Sequence, residues 1–178
     1  MQQVAAVRPV AGPYPENEQA FTDLLAPVID SGFRLACAML HDPQGARDAV
    51  QEASLTAWRK IGRLEDRAGM RSWFLGIVAN ECRNARRRKW ISGVVLGLPR
   101  KLSARSPEDR ILAGADLRRA LARLRHRDRL VVVLFYYLDL PLEQVADIVG
   151  DSVSATRARL YRSIRRLRPD LDTEEALQ

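Results

Sequence analysis

Residues 153–168 read VSATRARLYRSIRRLR, and this stretch indicates the fold more strongly than any other in the chain. Its apolar residues recur at the spacing of one helix face: Val153, Leu160, Ile164 and Leu167. Just upstream, residues 142–149 have the pattern of a shorter helix that ends at Gly150. Two helices joined by a tight turn, the second with a cationic outer face, are typical of a helix-turn-helix unit that enters the DNA major groove.

The outer face of this second helix combines arginine with small residues. Ser154, Ala155 and Ala158 would let the start of the helix approach base edges closely. Arginine pairs bidentately with guanine or with phosphate, and Arg162 lies on the same face. The flanking or bordering positions are Arg157, Arg159 and Tyr161, and the arginines expected to touch the DNA backbone are Arg165, Arg166 and Arg168. The alternative is an exposed basic helix that closes a small bundle without binding DNA.

The charge of the chain is basic and clustered. The chain has 178 residues, a formal charge of +7 and 47% hydrophobic residues. That length suits one ordinary domain or two small ones, and the hydrophobic content suffices for a buried core. The positive charge gathers at residues 83–89 and 157–168. Clustered basic charge favours a polyanionic partner, and nucleic acid is the first candidate.

The sequence lacks the residue patterns that bind a metal or a cofactor or that catalyse a covalent reaction. Cys37 and Cys82 lie in apolar helical patterns, so we expect reduced core thiols. His41 and His126 are far apart, so we expect no metal site. A glycine-rich phosphate loop and a Ser-His-Asp set are missing, which predicts no cofactor, no catalytic residues and no enzyme. An apolar run of about 20 residues and a signal peptide are also missing, which predicts a cytoplasmic protein without membrane insertion.

The helical patterns fall into two units, and we predict an all-α fold of two small helical domains joined by a flexible linker. The predicted parts are a flexible N-terminal arm over 1–17, a helical domain over 18–91, a linker over 92–105, a helix-turn-helix domain over 106–171 and an acidic tail over 172–178. The first domain is expected to hold helices over about 18–40, 45–61 and 70–90, with a polar loop between the last two.

The second domain is expected to begin with a capped helix. Ser106 is a suitable N-cap and Pro107 a suitable first helical residue, and this helix should reach about Leu124. A further element spans about 127–138. Its continuous apolar run, 130–134, also fits a strand, but helical neighbours and the lack of a second strand favour a helix.

Two further surfaces are candidates for binding. The predicted third helix carries amides and ends in a basic run, a mixture that suits single-stranded nucleic acid, although cations also stabilise any helix C-terminus: Asn80, Asn84, Arg83, Arg86, Arg87, Arg88 and Lys89. The segment 48–52 mixes apolar and acidic residues inside a basic protein. It is either an ordinary amphipathic helix or a docking face for another protein. Trp58 and Trp73 have helical spacing and are predicted to be core residues.

Together these segments resemble the extracytoplasmic-function sigma factors, the smallest promoter-recognition subunits of bacterial RNA polymerase. The resemblance covers about residues 20–170. Residues 42–52, DPQGARDAVQE, are similar to the family pattern DPxDAEDLVQE, and residues 71–80, RSWFLGIVAN, to RAWLYRIARN. Residues 142–150, LEQVADIVG, are similar to the first helix of the family's helix-turn-helix. The matches in the second helix are Val153, Arg157, Arg159, Leu160 and Arg162.

The resemblance implies a role for each surface. Docking on the β′ clamp of polymerase would involve Asp48, Val50, Gln51 and Glu52. Asn80 and the loop over about 63–69 would capture a flipped base of the melted minus-ten promoter element. The residues that would hold the duplex and strand around that base are Asn84, Arg83, Arg86, Arg87, Arg88 and Lys89. The minus-thirty-five element would be read as duplex by Ser154, Arg157, Ala158, Tyr161, Arg162 and Arg165.

The resemblance also implies partners and a location. The expected partners are the bacterial RNA polymerase core, through its β′ clamp and β flap, promoter DNA and an anti-sigma factor. The protein would associate with the nucleoid when bound to polymerase, and an anti-sigma factor is an expected route to membrane tethering. The linker would thread toward the polymerase active site.

This chain departs from the family pattern at several positions. The usual Gly-Thr at the start of the recognition helix is Ser154-Ala155, and the valine that follows is Thr156. Phe135 replaces an arginine and either enlarges the core or exposes an apolar patch. Asp139 replaces the turn glycine, and the linker is basic where the family's is acidic.

Two other functions stay open on these residues. A stand-alone helix-turn-helix repressor with a ligand-sensing N-terminal bundle would bind operator duplex by itself, usually as a dimer. A sigma-like decoy would sequester an anti-sigma factor. The sequence shows no dimerisation helix for a repressor, and a decoy would not need an arginine-rich recognition helix.

Overall fold

The computed structural model describes residues 18–64, 66–91 and 115–175, and all regular structure within these ranges is helical. The α-helices are α1 (Glu18–Leu40), α2 (Pro43–Lys60), α3 (Met70–Ile91), α4 (Ala115–Arg123), α5 (His126–Val132), α6 (Leu142–Val149) and α7 (Val153–Glu175). Two 3-10 turns, Ile61–Arg63 and Arg67–Gly69, precede α3, and a π-helical turn, Val133–Tyr137, extends α5. The predicted all-α class is confirmed.

Several predicted features lie outside the described residues. They are the N-terminal arm over 1–17, the linker over 92–105, the cap at Ser106 with its following turn, and the end of the acidic tail. Within the described ranges, no helix combines the length and the apolarity that a bilayer span requires.

Helices α1, α2 and α3 pack around a core of apolar and small side chains. Leu35 of α1, Ala53 of α2 and Phe74 of α3 are fully buried. At Gly32, an added Cβ would lie 2.7 Å from Cε1 of Phe74, so glycine allows α1 and α3 to approach closely. Cys82 is a buried free thiol whose pKa burial raises to about 12, as expected for a core thiol, whereas Cys37 is only half-buried.

Helices α4 to α7 form a second core around the apolar run that the sequence left ambiguous. Residues 130–134 are all buried, and they adopt α-helix and then the π-helical turn. A helix buried on several sides reads as a continuous apolar stretch, which explains the resemblance to a strand. Phe135 is half-buried against this core and meets Tyr136 edge-on, with ring centroids 5.0 Å apart. The enlarged-core alternative therefore describes Phe135.

The two helical groups contact each other in this structure. Helix α3 packs on α6, where a Cβ added at Gly76 would lie 3.7 Å from Cγ1 of Ile148. Nearby, the Arg71 guanidinium donates to the backbone carbonyl of Leu138, and the guanidinium of Arg129 contacts Nε2 of His41. A face of the first group is thus covered by α5, the π-helical turn and α6 of the second.

Candidate nucleic-acid interface

The turn between α6 and α7 has the geometry of a helix-turn-helix. Helix α6 ends at Gly150, whose φ of 74° is a left-handed conformation that glycine adopts without strain. The Gly150 and Asp151 amides both donate to the Ala146 carbonyl, at 2.8 and 3.1 Å. Ser152 then caps α7 by accepting a hydrogen bond from the Ala155 amide at 3.2 Å. These bonds fix where the second helix begins.

Helix α7 turns one face into the core and presents the other to solvent. Its buried side includes Thr156, Leu160 and Ser163. The exposed side carries every residue predicted to read duplex DNA: Ser154, Arg157, Ala158, Tyr161, Arg162 and Arg165. Tyr161 is 67% exposed, so it lies on the outer face and not at the border of the core as the sequence suggested. Small side chains near the helix start and arginines on either side leave room for a base edge.

Some arginines of α7 are bound by carboxylates of the protein itself. Arg159 is bound by Asp128 and Asp151, and Arg166 is bound by Asp128. The Arg166 side chain is also 58% exposed, and its contact with the DNA backbone stays a prediction. The side chain of Arg168 is outside the described part.

The exposed end of α3 is strongly basic. Asn80 is exposed and its Oδ1 accepts from Nη1 of Arg83 at 3.4 Å, while Asn84 donates to Glu81 Oε2 at 3.4 Å. Arg86, Arg87 and Arg88 are also exposed, and the side chain of Lys89 is outside the described part. Cations along one helix end give a surface suited to phosphate.

This basic end of α3 also shapes the environment of a buried histidine. His126, at the start of α5, is 7% exposed, and its Nε2 is a buried atom without a hydrogen-bond partner among the described residues. Burial and the positive charges of Arg86, Arg129 and Arg83 lower the pKa of His126 to about 4. His126 is therefore neutral at physiological pH.

A cavity of about 520 Å³ is lined by residues of α2, α3 and α6, next to the contact between α3 and α6. Lys60, Trp73 and Asn80 line it on one side, and Gln144 and Asp147 of α6 line it on the other. Trp73 is half-buried, in partial agreement with its prediction as a core residue. The candidate base-capturing residue Asn80 thus borders a cavity of mixed polar and apolar lining, to which α6 also contributes.

The acidic segment of α2 divides between surface and core. Asp48, Gln51 and Glu52 are exposed, whereas Val50 is 7% exposed and packs into the core. The prediction that Val50 lies on a docking face is corrected, because its side chain is buried on the opposite side of α2 from the exposed acids. Trp58 is 43% exposed and touches Phe21 edge-on, with centroids 5.0 Å apart, so its prediction as a core residue is also wrong.

Both helical groups match known protein families. Residues 30–91 match the model of sigma-70 region 2, and residues 115–167 match that of sigma-70 region 4, together more than half of the chain. The chain belongs to the sigma-70 family. The sequence-based resemblance to sigma factors is thereby confirmed.

Relatives extend the match along the sigma factor. This chain is 27% identical over 143 residues to the RNA polymerase sigma factor SigV of Bacillus subtilis (strain 168). The aligned residues cover 80% of this chain and 86% of the relative. It is 24% identical over 169 residues to the ECF sigma factor SigW of the same organism, covering 87% and 90%. The predicted extracytoplasmic-function class is confirmed.

The fold of the sigma factor is shared with a solved structure. The sigma factor RpoE, in complex with the anti-sigma factor NepR from Bartonella quintana, matches with a TM-score of 0.71 at 21% identity, over 86% of this chain and 98% of that chain. The likeness is one of fold.

Sequence reasoning missed the acids that bind the arginines of the sigma factor's recognition helix. Asp128 is 7% exposed on α5, and Asp151 lies in the turn before α7. One local signal pointed to Asp128, because it stands between Arg127 and Arg129 in a basic stretch next to an apolar run. A lone acid in that setting has cationic partners close at hand.

Proposed function

We propose that this sigma factor directs the bacterial RNA polymerase core to specific promoters and starts transcription there, without covalent chemistry of its own. The observation that carries the proposal is that sigma-70 regions 2 and 4 follow each other in one chain, each with an exposed basic helix. Two basic surfaces on separate helical groups suit two separate elements of one promoter.

The outer face of α7 reads the minus-thirty-five element as duplex. Arg162 is exposed beside Ala158, in a position to pair bidentately with a guanine edge. Arg157 and Arg165 flank it and add phosphate contacts. Gly150 and the Ser152 cap hold the helix start, which is the part that enters the groove.

The end of α3 holds the melted strand of the minus-ten element. Unstacking and flipping a base costs a few kcal/mol, so the protein must supply contacts that only the melted strand can make. Asn80 offers an amide to a base edge, and Arg86 to Arg88 offer charge to phosphates. Lys60 and Trp73 lie on the same cavity wall as Asn80, and they add a cation and an aromatic ring to the surroundings of a bound base.

The exposed face of α2 docks on the polymerase core, with the β′ clamp as its partner. Asp48, Gln51 and Glu52 place acid and amide groups on the surface of a chain with a net charge of +7. One turn further, Leu55 is 49% exposed and continues the same helical stripe. Apolar anchors next to a few polar groups are the composition of a specific protein interface.

We also propose an anti-sigma factor as a regulatory partner. The solved relative RpoE is held in complex with the anti-sigma factor NepR, and the similar fold makes the same kind of complex possible here. Where such a partner is a membrane protein, it would tether this sigma factor to the membrane until a signal releases it.

A binding experiment separates this function from the repressor and the decoy. The full chain is mixed with purified core polymerase, with a duplex selected from a randomised pool by the chain–core complex, or with both. Sigma function predicts that the chain binds core, and that only the complex prefers the selected duplex over the starting pool. Preference without core would favour a repressor, and core binding without any enriched duplex would favour a decoy.

A further inference from the structure

The recognition helix is tied to the rest of its domain by a forked ion pair. Arg159 Nη1 donates to Asp128 Oδ1 at 3.1 Å, while its Nε and Nη2 donate to Asp151 Oδ2 at 3.2 and 2.9 Å. The Arg159 side chain is 23% exposed, and those of the two acids are 11% and 16% exposed. One guanidinium thus joins α7, α5 and the turn between α6 and α7.

The same acids bind two more arginines. The second oxygen of Asp128 accepts from Arg166 Nη1 at 3.2 Å, although the Arg166 side chain is 58% exposed and could reach solvent. Nη1 of Arg127 lies 3.8 Å from Asp151 Oδ1, and Nη2 of Arg127 donates to the Val149 carbonyl at 3.4 Å. Asp128 therefore holds one recognition-helix arginine on each of its oxygens.

The two ion pairs of Arg159 are stronger than ordinary surface ion pairs. Charge-assisted hydrogen bonds that are bidentate and partly buried fix geometry as well as charge, whereas exposed pairs contribute little. The hydrogen bond to Asp128 raises the pKa of Arg159 above its ordinary value, despite opposing burial, so the guanidinium stays charged in place. Releasing Arg159 from both acids would break the link between α7, α5 and the turn before α7 and leave two partly buried carboxylates with fewer partners.

The network divides the arginines of the recognition helix into two classes. Among those with described side chains, Arg159 and Arg166 are bound by acids, whereas Arg157, Arg162 and Arg165 are exposed on the outer face. A phosphate contact adds affinity for every DNA sequence, while a base contact adds affinity for one. An arginine kept from phosphate therefore lowers non-specific affinity without touching the reading residues.

We propose that Asp128 and Asp151 are specificity determinants, an inference that rests on the proposed reading of duplex DNA by α7. The two acids withhold Arg159 and Arg166 from DNA phosphates, and they fix the angle of α7. They are positioning residues, since neither carboxylate contacts a base. The acids lower the background of non-specific binding that a helix with so many arginines would otherwise have.

The first test is Asp128→Asn, which keeps the side-chain size and removes the charge. The full chain bound to core polymerase is titrated onto a selected duplex and onto the unselected pool at several salt concentrations. The variant is expected to bind the pool several-fold more tightly, with a salt slope steeper by about 1 for each released arginine. Released arginines strengthen phosphate contacts with both duplexes alike, so the preference for the selected duplex changes only through the angle of α7, and we expect it to fall about fivefold to tenfold. Asp151→Asn should shift both quantities in the same direction.

Two control variants show whether the changes in preference and salt slope come from misfolding or from the change in net charge alone. Glu143→Gln makes the same change in net charge at an exposed position of α6, and it should leave preference and salt slope unchanged. Arg166→Gln alters an exposed side chain, so the fold should survive. In the wild-type background it should leave the salt slope unchanged, and in the Asp128→Asn background it should reverse part of the steepening. Circular dichroism melting reports the folded fraction.

The outcomes separate this inference from the proposed function. A salt slope that becomes shallower by about 1 in Arg166→Gln alone would show that Arg166 already contacts phosphate and would overturn the inference. Equal preferences for Asp128→Asn and Glu143→Gln would overturn it as well. If the wild-type complex enriches no duplex from the pool, the proposed function fails instead.

Discussion

At the scale of single residues, Asn80 carries the clearest expectation about promoter opening. Asn80→Ala removes an exposed amide beside the cavity and leaves the buried contacts of α3 in place. One neutral hydrogen bond is worth about 1 kcal/mol, so we expect roughly fivefold fewer open complexes. Permanganate reactivity of thymines in the minus-ten element measures the melted fraction, and core binding should not change.

Asn84→Ala is the matched control for Asn80. Asn84 is one turn further along α3, and its amide donates to Glu81 along the helix. We expect a smaller loss of melting from this variant. Normal thymine reactivity with Asn80→Ala would contradict the assignment of base capture to Asn80.

The buried His126 predicts a specific acid sensitivity. Its folded pKa of about 4 lies below the ordinary value of 6.5, because it is buried and faces Arg83 and Arg86 of α3 and Arg129 of α5. The stability linked to His126 is fully present above pH 6.5. Below that pH the unfolded chain takes up a proton first, so stability falls by up to about 1.4 kcal/mol per unit until about pH 4.

Urea unfolding followed by tryptophan fluorescence checks this expectation. His126→Asn removes the titrating group, so the variant should lose less stability than the wild-type chain between pH 7 and pH 5. Other acid-sensitive groups are shared by both proteins and cancel in the comparison. Parallel losses of stability in the two proteins would show that His126 does not titrate as its surroundings predict.

At the scale of elements, the turn of the helix-turn-helix depends on Gly150. Alanine at a φ of 74° costs about 1 kcal/mol, since its Cβ crowds the backbone in the left-handed conformation. In the described part of the chain, no atom of a non-adjacent residue lies within 4 Å of the added Cβ at Gly150, so packing there neither adds to the cost nor reduces it. We expect Gly150→Ala to lower the free energy of unfolding by about that amount in chemical denaturation.

Gly69→Ala is the control for this backbone effect. Gly69 also has no atom within 4 Å of an added Cβ, but its φ is not positive. Alanine there should be neutral or slightly stabilising, because it reduces the freedom of the unfolded chain. Equal destabilisation by the two substitutions would rule out a left-handed conformation as the cause at Gly150.

The elements themselves were largely predictable from the sequence. The bounds of α1 and α6 agree with the hydrophobic periodicity, and the exposed reading face of α7 follows from the apolar stripe at Leu160 and Leu167. Periodicity assigns residues to faces of one helix. It cannot show that Arg159 and Arg166 turn back to acids, because Asp128 is distant in sequence and only packing of α5 on α7 brings it near.

Burial was predicted less well where a helix has two partly covered sides. Val50 and Trp58 lie on the same helix, α2, yet the valine is buried and the tryptophan is 43% exposed. Small residues such as Ala49, Ala53 and Ala57 form the buried stripe of α2 and leave the large ring outside. Residue size alone therefore misassigned Trp58 to the core.

At the scale of the whole molecule, the contact between α3 and α6 predicts a barrier to promoter opening. Helix α6 lines the cavity that Asn80 borders, so we expect a strand to occupy that cavity only when the two helical groups separate. Gly76→Cys with Ile148→Cys places two thiols on facing helices, since a Cβ at Gly76 would lie 3.7 Å from Ile148 Cγ1, and we expect them to form a disulfide. The oxidised protein should open few promoters, and reduction should restore opening.

Gly76→Cys alone, treated with the same oxidant, is the control for effects on Cys37 and Cys82. Gel mobility without reductant reports how much of the double variant is cross-linked. Equal thymine reactivity in the cross-linked and reduced proteins would show that the contact between α3 and α6 is compatible with an open promoter.

The central claim is that this chain gives core polymerase its choice of promoter. Run-off transcription tests it most directly, with purified bacterial core, a template that carries the duplex selected by the chain–core complex, and the full chain present or absent. We expect a transcript of defined length only when the chain is present, and its loss when the selected upstream element is scrambled. Transcripts that are the same with and without the chain, or that ignore the scrambling, would contradict the account.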